Sequence, residues 1–102
     1  MMLGSMGMAE SMWDQIKGFM TVGYSTSKAA LNMLTLIQSR TLGEKSIAVA
    51  AAHPGWVKTD MGSQAAPMEV ADGAKTVVGL VTMARENFPH GQMQHMGERL
   101  PW

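Results

Sequence analysis

Between Gly23 and Leu42 apolar residues recur at spacings of three and four: Ala30, Leu34 and Ile37, flanked by Leu31, Met33 and Leu36. That period predicts an amphipathic helix with a broad apolar stripe, and Gly43 is its stop signal. The next segment, SIAVAAAHPGW, shows no polar alternation from Ile47 to Ala52. Such a run suits a strand covered on both faces, as in a parallel sheet, and Pro54–Gly55 ends it sharply. Lys58 to Ala66 reads as polar loop. Pro67 then stands at a first helical position, with Glu69 and Asp72 facing the positive end of the helix dipole. Val70, Ala74, Val77, Val78 and Val81 carry the helical spacing to about Glu86. Asn87 to Gly91 reads as a turn, and GQMQHMGERLPW as one short strand near Gln92 to Met96 followed by a tail. Ahead of all this, residues 1–22 read as irregular, with a turn of helix from Glu10 to Lys17 that stops at Gly18.

The predicted order is helix, strand, helix, strand, an α/β pattern. A strand, a crossover helix and a second strand imply a right-handed parallel unit. Two strands make a poor sheet by themselves, and a strand apolar on both faces calls for a neighbour on its second edge. Residues 1–102 therefore read as one unit without an internal boundary, and as part of a larger sheet.

Composition narrows the function classes. The 102 residues carry eight basic and eight acidic side chains, a balance that argues against nucleic-acid and anionic-lipid partners. The apolar run Ile47–Ala52 is far too short to span a bilayer. No Lys or Arg precedes Lys17 and no apolar signal core is visible, so no secretory leader is expected. The chain has no cysteine, which excludes disulfides and thiolate chemistry and fits a reducing, cytoplasmic setting. Twelve methionines are scattered without pattern and read as adaptable filler. His90 and His95 have no carboxylate or cysteine at ligand spacing, so no metal site is expected.

Candidate chemistry lies in YSTSK, Tyr24 to Lys28. Four residues apart on a helix, the phenol and the ammonium share one face. A nearby ammonium favours the phenolate, and such a tyrosine can exchange a proton with an alcohol or carbonyl oxygen while hydride moves at carbon. The lysine has further donors for a sugar hydroxyl. A solvated pair at the start of an amphipathic helix has the same spacing, so the pair alone does not choose between the two readings.

YSTSKAALNMLT, followed from His53 by HPGWVKTDMG, resembles the short-chain dehydrogenase/reductase family. The first piece is similar to the family's Tyr-x-x-x-Lys catalytic helix, and the second to the Pro-Gly turn beside the nicotinamide. The ending GQMQHMGERLPW resembles the last strand and tail of the C-factor and sniffer-type carbonyl reductase subgroup. The resemblance implies the C-terminal part of a Rossmann-like doubly wound parallel sheet, without the N-terminal dinucleotide-binding half. It makes Tyr24 the general acid/base and Lys28 its ribose-contacting partner. Pro54 and Gly55 become the turn that lets backbone approach the cofactor, NAD or NADP, with Val57 and Thr59 on the nicotinamide side. The substrate implied is a small carbonyl compound or secondary alcohol, and the Met61–Pro67 loop falls where relatives place a mobile lid. His53 reads as a strand-end residue.

The sequence also departs from the family. GSMG at Gly4–Gly7 follows no strand and opens no long helix, so it does not match the Gly-rich pyrophosphate turn. The residue that selects NAD or NADP has no counterpart either. On the subgroup's Ser-Ser-x-x-Gly-Ser stretch, Gly4 and Ser5 take the last two positions and the catalytic serine falls on Met1. Ser5 stands displaced along the chain from that position, and the sequence leaves open whether it replaces the serine. The chain is thus expected to be the C-terminal portion of an NAD(P)-dependent oxidoreductase, inactive alone. A non-catalytic interaction module is the alternative. Because the family's catalytic helix often packs between subunits, a homo-oligomer or pairing with a complementary chain is expected.

Overall fold

A computed structural model describes residues 4–102. Two short helices, α1 (Met6–Ser11) and α2 (Trp13–Ile16), and a 3-10 turn at Lys17–Phe19 precede the long helix α3 (Val22–Gly43). Strand β1 (Ala51–Ala52), helix α4 (Val70–Thr82), a 3-10 turn at Arg85–Asn87 and strands β2 (Met93–His95) and β3 (Glu98–Leu100) complete the order. β1 runs parallel to β2, with Ala51 opposite Met93. Their connection passes through α4, the predicted strand–helix–strand unit. β3 then pairs antiparallel to β2, giving a three-stranded mixed sheet in the order β1-β2-β3. Among the described residues no helix is long and apolar enough to cross a membrane.

Several boundaries differ from expectation. Residues 6–19, expected to be mostly irregular, are largely helical. Ser5 caps α1 by accepting from the Met8 N–H and donates to the Pro101 carbonyl, while the Met6 N–H donates to the Trp102 carbonyl. The start of the described chain is thus held by its end. The expected tail is β3, because Met96 and Gly97, at φ 50° and 82°, turn the chain back into a hairpin. The strand expected over Ile47–Ala52 is regular only at Ala51–Ala52, since β2 pairs along that stretch alone. Pro67 lies outside α4, which begins at Val70 because Met68 is held by backbone bonds to Trp56 and Lys58. α4 also ends at Thr82, ahead of the expected Glu86.

The largest departure concerns which face of α3 turns inward. Asn32, Thr35 and Ser39 are buried, whereas Leu31, Met33, Leu34 and Ile37 remain 45–56% exposed. Thr35 and Ser39 tolerate burial because their hydroxyls donate to the Leu31 and Leu36 carbonyls of their own helix. α4 repeats the pattern: Gly73 and Thr76 face inward, while Val77, Val78 and Val81 face solvent. Small residues thus occupy the buried faces of both helices, and much of the expected apolar stripes stays exposed. The accessible surface of 6731 Å² accordingly exceeds the roughly 5,600 Å² expected for a closed domain of 11.0 kDa.

His90 ties α3 to the segment entering β1. Its Nδ1 accepts from the Val49 N–H at 2.9 Å and its Nε2 donates to the Ser39 carbonyl at 2.7 Å, so both nitrogens of a neutral imidazole are used.

Candidate active site

Four segments converge on one open cleft of about 890 Å³: the end of α2 at Ile16, the first turn of α3, the stretch His53–Ser63, and the start of α4. Thr21 caps α3 by accepting from the Tyr24 N–H at 3.3 Å, which fixes where the tyrosine leaves the helix. Tyr24 lines the cleft and is 38% exposed. One turn on, the Lys28 Nζ lies 5.5 Å from the centre of the Tyr24 ring, within cation–π range. Lys28 flanks the tyrosine without lining the cleft itself. Among the described residues no carboxylate pairs with its ammonium.

The opposite wall begins where β1 ends. Pro54 has no N–H and closes the ladder. Gly55 then takes φ 89°, which only glycine adopts without strain. Val57 forms a parallel bridge with Met68, the Lys58 N–H donates to the Met68 carbonyl, and Lys58 pairs with Glu69 at 2.7 Å. Between these ties the Trp56 Nε1–H donates to the Gly62 carbonyl at 2.6 Å. The Thr59 hydroxyl accepts from the Gly62 N–H at 2.9 Å, a turn-capping role. Gly73 allows α4 to approach, since a Cβ there would enter the Val57 side chain.

Tyr24, Pro54, Gly55, Val57 and Thr59 therefore meet on one cleft, with Lys28 beside Tyr24. Ser5 does not join them. It is 1% exposed, and its hydroxyl is committed to Pro101 and Met8. Met1, where the family's serine falls, lies outside the described residues. Trp56, Met61 and Val70 also line the cleft and make its surface largely apolar. Their sequence signal was weak, because exposed loop apolars and a core stripe look alike until the chain folds. His53 is buried, and burial first, then the facing His95, holds its imidazole down at about 4. Among the described residues no three His, Cys, Asp or Glu side chains converge as metal ligands.

Residues 5–70, the stretch that supplies Tyr24, Lys28 and the Pro-Gly wall, match the short chain dehydrogenase family. The chain belongs to that family. The chain is 37% identical over 83 residues to carbonyl reductase [NADPH] 1 of Oryctolagus cuniculus, covering 76% of this chain and 30% of that protein. It is 30% identical over 79 residues to C-signal of Myxococcus xanthus, covering 78% and 48%. Its fold superposes on carbonyl reductase Sniffer of D. melanogaster with a TM-score of 0.75 at 31% identity, covering 99% of this chain and 38% of that one. NADPH-bound carbonyl reductase from chicken fatty liver gives 0.69 at 32% identity, with 97% and 36% covered. The chain thus spans about a third to a half of the length of these relatives.

Proposed function

We propose that the chain supplies the nicotinamide- and substrate-facing wall of an NADPH-dependent carbonyl reductase, with Tyr24 as the proton-transfer residue. The observation that carries this reading is the convergence of Tyr24 and the Pro54–Thr59 wall on one cleft, with an ammonium beside the phenol. At about 890 Å³ the cleft has room for a nicotinamide riboside and a small carbonyl compound. The adenosine and pyrophosphate meet no Gly-rich turn among these residues.

A bound nicotinamide would supply the hydride that adds to the carbonyl carbon. The Tyr24 hydroxyl gives its proton to the carbonyl oxygen as negative charge builds there, so the product leaves as an alcohol. The Lys28 ammonium stabilises the remaining phenolate and keeps donors free for a ribose hydroxyl. Val57 and Thr59 would face a bound nicotinamide, and the Pro54–Gly55 turn would let backbone approach it. Trp56 and Met61 offer apolar surface that excludes water from the reacting groups. We read residues 1–102 as one partial Rossmann-like domain, with a cytoplasmic location matching its cysteine-free sequence. Without the remote contacts that hold the cofactor's other half, the chain alone turns over no substrate.

Titration calorimetry with NADPH and NADH tests the reading. Weak NADPH binding is expected, reduced about tenfold or more in a Tyr24→Phe, Lys28→Ala double variant, as the loss of a charge-assisted hydrogen bond implies. A folded chain that binds neither nucleotide retires the reading.

One observation favours a second reading, a non-catalytic interaction or oligomerisation module. Leu31, Leu34 and Ile37 form an exposed apolar stripe on α3, and such stripes drive association. Light scattering on the wild type is expected to show dimers or larger species, and a Leu34→Glu, Ile37→Lys variant is expected to be monomeric. A wild type that stays monomeric at high concentration removes this reading.

A further inference from the structure

Two imidazoles that take no part in the proton transfer hold the turn that forms the cleft wall. The β1–β2 ladder reaches its last backbone rung where the His53 N–H donates to the Gln94 carbonyl at 2.8 Å. Pro54 has no N–H to continue it. The next partner comes from a side chain: His95 Nδ1 stands 2.8 Å from the His53 carbonyl oxygen. A carbonyl oxygen only accepts, so His95 carries a proton on Nδ1. The His53 ring turns toward the same corner, with Nδ1 3.4 Å from the Gly55 N–H, and accepts there with its own proton on Nε2. The two rings lie 5.0 Å apart at 37°. His95 also bounds the turn sterically, because its Cε1 lies 3.0 Å from the place a Gly55 Cβ would occupy.

Both histidines thus grip a turn at which ordinary strand pairing has stopped. His53 lines the cleft while its backbone sits in the sheet. Any change in the His53 carbonyl or the Gly55 N–H rotates the peptide that leads into Trp56 and Val57.

We propose that His53 and His95 form an imidazole latch that sets the Pro54–Gly55 turn and thereby aims the Val57–Thr59 wall into the cleft. Both are positioning residues, acting through the turn, and the latch's effect on the cofactor rests on the functional reading above. The latch also explains why a buried, neutral histidine stands at the end of β1, where an apolar residue would pack as well.

The test is amide hydrogen exchange at Gly55, read by NMR, with NADPH affinity measured on the same proteins. Asparagine at position 53 keeps an acceptor near Nδ1, and asparagine at position 95 keeps an N–H donor toward the His53 carbonyl. Leucine keeps bulk and loses both functions. Exchange at Gly55 is expected to rise about tenfold in His53→Leu and His95→Leu, with Ala51 and the α3 amides little changed, because only the local opening is eased. His53→Asn and His95→Asn are expected to stay within about threefold of wild type at Gly55. NADPH affinity is expected to fall in the leucine variants and recover in the asparagine ones. Unchanged Gly55 exchange in the leucine variants, or asparagine variants no better than leucine, overturns the latch. Should the leucine variants not fold, the asparagine pair decides, since a tenfold rise in them also overturns it. A wild type without NADPH affinity defeats the functional reading alone, because Gly55 exchange reports on the latch in the absence of nucleotide.

Discussion

Gly55→Ala is expected to lower the unfolding free energy by about 3 kcal/mol or more. Two costs combine at this position. At φ 89° an L side chain is strained, by roughly 1–3 kcal/mol. The new methyl would also run into the Met68 sulfur and stand 3.0 Å from His95 Cε1. Crowding of that kind costs roughly a further 1–3 kcal/mol. Met68 can relieve the crowding only by rotating its side chain, because its N–H and carbonyl hold its backbone to Trp56 and Lys58. Gly97→Ala is the control: φ is 82°, but nothing lies within 4 Å of the added carbon. It should lose only the strain, roughly 1–3 kcal/mol. Urea unfolding of the two variants checks the difference. Equal losses would mean that Met68 and His95 move aside without penalty. For a domain of this size, with total stability of order 5–15 kcal/mol, the Gly55 loss is large.

Stability is also expected to fall by about 3 kcal/mol through His53 as the pH drops from 6.5 to about 4. Burial, followed by the facing His95, pushes this imidazole down from 6.5 to about 4. Between those values the unfolded chain binds a proton at His53 and the folded chain does not. Protons therefore favour unfolding across that window. The contribution is complete above pH 6.5, is lost progressively toward pH 4, and changes no further below it. His95 faces His53 from β2, and Tyr24 shares the cleft. His53→Asn cannot titrate, and its carboxylates are those of the wild type. Denaturant midpoints at pH 7 and pH 4.5 should therefore separate the two proteins, with the wild type losing more stability on acidification. Parallel losses in both would show that His53 is not held neutral in the folded state.

Local rules made much of the molecule legible before folding. Helical period and the Gly43 stop signal bound α3, found at Val22–Gly43. Pro54 and Gly55 marked the end of a strand because one lacks an N–H and the other accepts positive φ. The four-residue spacing of Tyr24 and Lys28 placed both on one helical face, since the 3.6-residue turn allows little else. Resemblance of these stretches to the short-chain dehydrogenases then extended to the fold as a whole. Other features carried no comparable signal. Met96 adopts φ 50° in the β2–β3 hairpin although methionine announces no such turn. The Trp56 bond to Gly62 and the Lys58–Glu69 pair depend on how a loop closes on itself.

The sequence by itself determined the two long helices, the turn at Pro54–Gly55, and which residues share a helical face, because periodicity, caps and Pro-Gly chemistry act within a few residues. Only the tertiary structure decided which face of α3 and α4 turns inward, where β1 begins, and that His53 meets His95. Those outcomes depend on what packs against each surface. A hydrophobic stripe records only that it favours a partner, whereas small hydroxyl residues that satisfy their own hydrogen bonds can approach a sheet whenever one is there to receive them.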